Sequence, residues 1–422
     1  MAYTYGAPGA ASNRAGRIAT VTHQAGTEER FYGLLGEMVK EINTIHTATT
    51  PNEPEVYTTE YAFDTFGRLQ KLVYPDAEIL TYGYDSGGNL VSAQGVKSGY
   101  RYTYLRDIHY DRFERRTQVE LGNNVVTGYT YDPYDRRLRV LTAGRGTLFQ
   151  NLKYSYDPVG NIVGLANDVG VPPASSFGGP TQQAFTYDDL YRLTGASGSY
   201  QFAPDKTDRY QLSMAYDVIH NITRKTQRHE VVQPSGTAIE QHRTTYDWAY
   251  VYGGSQPHAP TQIGTQDGGI GPVVGRTFRY DANGNQESWD HDQNGTRRTL
   301  VWDDENRLQS LFDNGHEKAY VYDDAGQRVI KRGPQGETVY VNQWFTMRNG
   351  QAGTKHVFAG TERIVSKLMK QDGPGGNPID PRQPRTPERE PGDADGKKKT
   401  EDQPDDQDKE GGFKGQNIDG WA

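Results

Sequence analysis

Residues 82–90 read YGYDSGGNL, and this stretch decides the fold. Residues two apart on a β-strand point to the same face, so Tyr82 and Tyr84 form a two-ring stripe. Asp85 then opens a turn, because its carboxylate can accept hydrogen bonds from the amides ahead of it. Gly88, three residues on, supplies the left-handed backbone of a type I turn closed by a bulge. Leu90 starts the return strand. The nine residues spell one β-hairpin.

The unit recurs along the chain. Clear copies are YAFDTFGRL from Tyr61, YSYDPVGNI from Tyr154, FRYDANGNQ from Phe278 and YVYDDAGQR from Tyr320. Looser copies begin at Ile108, Tyr129, Phe185, Met214 and Leu300, and a degenerate one, TTYDWAY, surrounds Tyr246. Most copies lie 20–34 residues apart, which is a repeat period. The turn residues of the clear copies are Asp64 and Gly67, Asp85 and Gly88, Asp157 and Gly160, Asp281 and Gly284, and Asp323 and Gly326. Their identical placement assigns them a structural role rather than acid–base chemistry. In looser copies the turn position falls to Asp135, Tyr191, His220 and Asn306. Tyr and His fit left-handed backbone poorly, so the hairpins at Tyr191 and His220 are expected to use another turn.

Composition agrees with thin sheets. The chain has 422 residues with 29 Tyr and 49 Gly, but only 34% are hydrophobic, which supplies one thick core poorly. There is no Cys, so disulfides and thiolate metal sites are excluded. No secretory signal opens the chain and no apolar run is long enough to span a membrane as a helix. The net charge of −8 offers no excess of positive charge for a nucleic-acid backbone.

Three segments are expected. Residues 1–26 form a partly ordered N-terminal extension, 27–370 the hairpin array, and 371–422 a disordered tail rich in Pro and charge. Within the array, residues 27–45 fit a hairpin with Gly36 in its turn, and 167–182 and 253–275 read as surface loops. The array is all-β, a long antiparallel sheet of about 22–24 strands extending about 110 Å. Closed once, such a band would be ~35 Å across, too wide for side chains to fill, so the expectation is a sheet that spirals into a partial hollow shell.

One metal candidate stands out. Asp290, Asp292 and Asn294 have the spacing that opens a Ca²⁺ loop, but position twelve is Val301 where a bidentate Glu belongs. A polar hairpin turn explains them as well. No other cofactor is expected, and no catalytic motif is present in the sequence. The aromatic stripes suit sugar stacking as well as packing between layers.

The segments YDSGGNL, YDPVGNI, YDANGNQ and WDDENRLQSL, with the closing stretch VYVNQWFTMRNG to KHVFAGTERIVSKL, resemble the Rhs/YD-repeat family. That family includes Rhs polymorphic toxins, the C component of insecticidal toxin complexes and teneurin-type repeats. The resemblance covers residues 30–370 and implies a shell that encapsulates a toxic polypeptide. It also implies an Rhs-associated core with spaced Asp-Pro motifs tied to self-cleavage. Here the Asp-Pro pairs are Asp132-Pro133, Asp157-Pro158 and Asp380-Pro381, and none matches that spacing. The expectation is therefore a non-catalytic shell or scaffold, a fragment or one subunit of a larger shell. It would act outside the cell or at its surface, exported with a partner or non-classically. Its partners would be a toxin cargo or the remaining shell segment on another chain. The alternative is a cell-surface module that binds carbohydrate or a neighbouring cell.

Overall fold

The computed structural model describes residues 1–173, 178–266, 273–291 and 295–369. The tail 371–422 lies outside the described residues. Thirty-one strands, from Ala2–Tyr5 to Glu362–Leu368, make one antiparallel sheet, and no helix occurs among the described residues. Each strand pairs with its neighbours in the chain. The one fork is at Ile222–Val232, where Ala238–Glu240 and Tyr246–Val251 share the edge opposite Lys206–Tyr216. Such a ladder needs no crossover, because tight turns suffice between antiparallel strands.

The repeat unit sets each hairpin's register. In Ile79–Tyr84 against Leu90–Lys97, Gly83 faces Ser92, and the register then slips so that Tyr84 faces Leu90. The same slip precedes Phe63, Tyr131, Tyr156, Tyr187, Tyr280 and Tyr322. This is the bulge that closes a type I turn with a left-handed residue. Residues 26–45 form the hairpin Gly26–Tyr32 and Met38–Ile45, with Gly36 at φ 92°. Residues 1–26 contribute Ala2–Tyr5 and Ile18–His23, both hydrogen-bonded into the sheet.

Five readings change. The sheet has 31 strands rather than 22–24, because segments before the first repeat, after the last, and at Ala238–Glu240 also pair. The degenerate copy is shifted: Asp247 lies within the strand Tyr246–Val251, bonded to Arg224, and the chain leaves that strand after Val251. The stretch 253–275 is not all loop, since Gln262–Gln266 and Val273–Tyr280 pair within it. The hairpins at Tyr191 and His220 keep the common turn, at φ 61° and 71°. In the repeat at Tyr129 the loop is one residue longer, so Arg136 (φ 60°) rather than Asp135 takes the left-handed position.

The ends of the sheet do not pair, so the sheet is not closed. Instead its late strands lie over its early ones. Leu72, Leu80, Tyr82, Leu105 and Ile108 share one core with Ile330, Val339, Phe345 and Val357. Burying these apolar faces against each other stabilises both layers. Between residues 122 and 310 the buried side chains are only Ala143, Ala196, Asn221 and Ser288 among the described residues. There the sheet is a single layer whose aromatic rows are half-buried by neighbours within the sheet. The result is a partial shell, two layers thick where the ends overlap and one layer thick between.

Candidate functional site

Two arrangements carry this architecture: a ladder of turns along one rim and a polar seam between the layers. The turn is built from one carboxylate. Asp157 Oδ1 accepts from the amides of Gly160 (2.7 Å) and Asn161 (2.8 Å), and Oδ2 accepts from Asn161 Nδ2 (2.8 Å). Asp64, Asp85, Asp188, Asp217, Asp281 and Asp303 repeat the pattern with Arg or Asn four residues on. The bonds to the charged form hold these carboxyls below the usual range, against an opposing effect of burial.

Each repeat is then tied to the one before it. The second aromatic donates its hydroxyl to the carbonyl that starts the preceding return strand. Tyr84 reaches Leu69 O (2.8 Å), Tyr110 Leu90 O (2.7 Å), Tyr156 Leu138 O (2.8 Å), Tyr216 Leu193 O (2.7 Å) and Tyr322 Leu308 O (2.8 Å). Trp302 does the same through Nε1 to Gln286 O (2.8 Å). Tyr252 does it to Ile222 O (3.0 Å), which marks Tyr250 and Tyr252 as the aromatic pair of the shifted repeat. The turn arginines close the link: Arg68 lies over Tyr84 (4.4 Å), Arg115 over Tyr131 (4.2 Å) and Arg192 over Tyr216 (4.7 Å). A ring with its hydroxyl bonded and an arginine on its face is committed to the ladder and is no open platform for sugar.

The seam is charged and buried. Lys355 Nζ meets Asp76 Oδ2 at 2.6 Å and also contacts Glu78 Oε2. Lys367 Nζ bonds Glu78 Oε2 (2.8 Å) and Tyr104 Oη (2.9 Å), and Lys97 bonds Asp76 (3.0 Å). Burial alone would raise Asp76 and Glu78, but the surrounding ammonium groups outweigh it and hold both carboxyls low. Tyr74 donates to His356 O across the layers at 2.7 Å. Glu41, joined to Tyr61 (2.8 Å) and to Asn342 on the late layer, goes the other way: burial pushes it up. Unpaired charge at such depth is costly, so the groups fix the register of one layer on the other.

No protein-family model matches the chain. Toxin subunit YenC1 of Yersinia entomophaga is 32% identical over 159 residues, 34% of this chain and 16% of that protein. Toxin subunit YenC2 of the same organism is 29% identical over 161 residues. Double-stranded DNA deaminase toxin A of Burkholderia cenocepacia is 27% identical over 35% of this chain and 11% of that protein. The crystal structure of TcdB2-TccC3-Cdc42 superposes with a TM-score of 0.61 at 17% identity, over 88% of this chain and 19% of that one. These likenesses support the resemblance to the Rhs/YD-repeat family. The Photorhabdus luminescens Tc holotoxin pore shares the fold as well, with a TM-score of 0.58 at 18% identity. The chain spans about a sixth of the length of the toxin subunits it matches.

The repeat turn residues are plainly placed. Gly67, Gly88, Gly160, Gly284 and Gly326 all have positive φ, and Asp64, Asp85, Asp157, Asp281 and Asp323 each open the turn before them. Asp323 alone among these is pushed up, by burial first, since its turn sits close to Asp324 and Glu28. Of the Ca²⁺ candidates, Asp290 sits in the strand Gln286–His291 opposite Thr277 with Arg297 at 3.5 Å. Asp292 and Asn294 lie outside the described residues. Among the described residues no group of three or more His, Asp or Glu could hold a metal ion. The seam escaped the sequence reading: Lys355 and Glu78 are 277 residues apart and carry no motif.

Proposed function

We propose that this YD-repeat chain is a structural segment of an extracellular toxin shell, a non-catalytic scaffold that holds a toxic polypeptide. The observation that carries the reading is the latch of late strands over early ones around a single-layered middle. Such a wall spends its polar chemistry on turns and seam and leaves its central stretch without a covering layer. The similarity to toxin subunits supports the same role. Further YD repeats, on this chain's own longer form or on a partner chain, would complete the enclosure.

The reading is tested by co-expressing the chain with the polypeptide encoded beside it and challenging the complex with protease. The polypeptide should survive in the complex and be digested when alone. Equal digestion in both would count against enclosure. The non-catalytic part is tested separately: the purified chain, incubated and run on a gel, should stay intact, and discrete self-cleavage would overturn it.

A further inference from the structure

One ring of the ladder is left without its tie. Thr4 faces Thr20, the register slips, and Tyr5 faces Ile18, the same step as at Tyr84 and Tyr156. Tyr32 donates to Ile18 O (2.8 Å) and Arg17 lies over the Tyr32 ring (5.5 Å). Ala2–Tyr5 and Ile18–His23 are therefore the first hairpin of the ladder, with Tyr5 as its second aromatic. Elsewhere the hydroxyl at this position is bonded and the ring half-buried, as at Tyr84, Tyr131 and Tyr187. The Tyr5 hydroxyl has no partner among the described residues, and the ring is 64% exposed, with Tyr3 beside it at 44%. What Tyr5 lacks is a return strand on its outer side, since Ala2–Tyr5 pairs with Ile18–His23 alone.

The other end of the sheet offers such a strand. Glu362–Leu368 pairs with Ala352–Ala359 alone, as the return strand of its hairpin: Val357 faces Val365, the register slips, and Phe358 faces Arg363. In the ladder the hydroxyl acceptor is the residue facing the previous second aromatic, Leu69 facing Phe63 for Tyr84 and Leu138 facing Tyr131 for Tyr156. Arg363 holds that place. Register between repeats is also constant. The residue two past the acceptor faces the residue three before the next second aromatic, as Lys71 faces Thr81, Val140 faces Lys153 and Ser310 faces Ala319. Carried over, Val365 faces Ala2, Ile364 faces Tyr3, and Tyr5 reaches Arg363 O. Opposed residues share a face, so Ile364 lies against the Tyr3 ring.

The layering leaves room for the added strands. Contacts between the layers step forward together, from Arg30 with Asp324 through Thr59 with Asn342 and Tyr74 with His356 to Tyr104 with Lys367. A strand beyond Glu362–Leu368 therefore falls over the sheet past residue 121, where the wall is one layer thick. The face fits too. Ile330, Val339 and Met347 form a cross-strand row on the side opposite Tyr320 and Tyr322, and this row is buried against the aromatic side of the early strands. A sheet that continues the late layer turns the same side to the aromatic rows of the middle. One feature departs from the ladder: the residue before the acceptor is Arg68, Asn89 or Arg137 at other junctions but Glu362 here, already bound to Arg116 (2.7 Å). With no guanidinium over Tyr5, this junction is weaker than those inside the chain. One free edge of each kind, in complementary register, makes a head-to-tail contact rather than a symmetric one.

We propose that copies of this chain join head to tail, Glu362–Leu368 of one pairing antiparallel with Ala2–Tyr5 of the next and Tyr5 donating to Arg363 O. This names a second copy as the source of the further repeats in the shell reading and rests on that reading only there. A monomeric chain that still shields its polypeptide from protease would sink the contact and spare the shell. The test is sedimentation velocity of the full chain at rising micromolar concentration, where dimers and larger species should grow in. Tyr5→Phe should weaken association roughly 3- to 10-fold. Tyr3→Lys with Tyr5→Lys blocks one edge and Ile364→Lys the other, so each variant alone should stay monomeric. Mixed, they should form a dimer with one copy of each and nothing larger. If Ile364→Lys loses its β-sheet far-ultraviolet spectrum, cysteines decide the register, since the chain has none of its own. Ala2→Cys mixed with Val365→Cys should give a disulfide between the two variants, and Thr4→Cys with Val365→Cys should not. A wild-type chain that stays monomeric across the micromolar range overturns the proposal. So does association that survives the Tyr3 and Tyr5 changes, or a disulfide formed between two Ala2→Cys chains in place of the mixed one.

Discussion

Replacing Lys355 by Met removes the cation at the centre of the seam while keeping a buried unbranched side chain of similar length. Lys355 is 2% exposed and its ammonium contacts both Asp76 and Glu78. Removing one partner of a buried ion pair costs about 3–5 kcal/mol. Here each carboxylate keeps a second cation, Glu78 through Lys367 at 2.8 Å and Asp76 through Lys97 at 3.0 Å. The cost should therefore fall near the lower end, about 3 kcal/mol. The carboxyls of Asp76 and Glu78 are held low in the folded chain, so their contribution is present above the ordinary carboxylate range and is lost as pH falls through the depressed values. Wild type and variant should thus differ most at neutral pH and converge in acid. Urea unfolding followed by tyrosine fluorescence at several pH values reads both effects. A loss under about 1 kcal/mol at neutral pH, or a gap that does not shrink in acid, would refute the idea that these charges latch the layers.

Three further outcomes follow from the same geometry. Tyr156→Phe deletes the hydroxyl that reaches Leu138 O and should cost about 1 kcal/mol, seen as faster amide exchange in residues 138–162 rather than across the whole chain. Tyr191→Gly relieves a non-glycine residue at φ 61° and should raise the stability of that hairpin by up to about 1 kcal/mol, measured by the same exchange. Glu41→Gln should stabilise the chain and do so more as pH rises. Burial raises the Glu41 carboxyl, so in the wild type its favourable contribution is present at low pH and is lost as pH climbs through the raised value, while Gln does not titrate. Melting temperatures across that range provide the check.

Much of the ladder was legible in the sequence because its chemistry is local. One aspartate and one left-handed position three residues on settle most of the hairpins, and YGYDSGGNL shows both. The places that misled were those where a local match competed with a cross-strand one. Tyr246-Asp247 has the right letters, but Asp247 is taken by Arg224 on the neighbouring strand, so the turn moves beyond Tyr252. Tyr191 and His220 were expected to refuse left-handed backbone. They accept it because Asp188 and Asp217 still bond the amides of Arg192 and Asn221, and those bonds offset the strain. The tyrosine ties were hidden for a different reason. Their acceptors are carbonyls, which leave no mark in sequence, at offsets that vary from 14 residues at Tyr322 to 30 at Tyr252. The seam was hidden most fully. Lys355 and Lys367 sit in a strand pattern that looks like ordinary surface alternation, and only the layering of late strands on early ones reveals that they face Asp76 and Glu78.

That layering is the claim on which the shell reading rests, and hydrogen exchange with mass spectrometry addresses it directly. The amides of 69–121 and of 328–368 should be the slowest in the chain and should open together, while 138–302 exchanges faster. Lys355→Met should speed both slow stretches in step. If protection instead runs evenly along the array, or residues 336–368 open on their own while 69–121 stays protected, the late strands are not latched over the early ones.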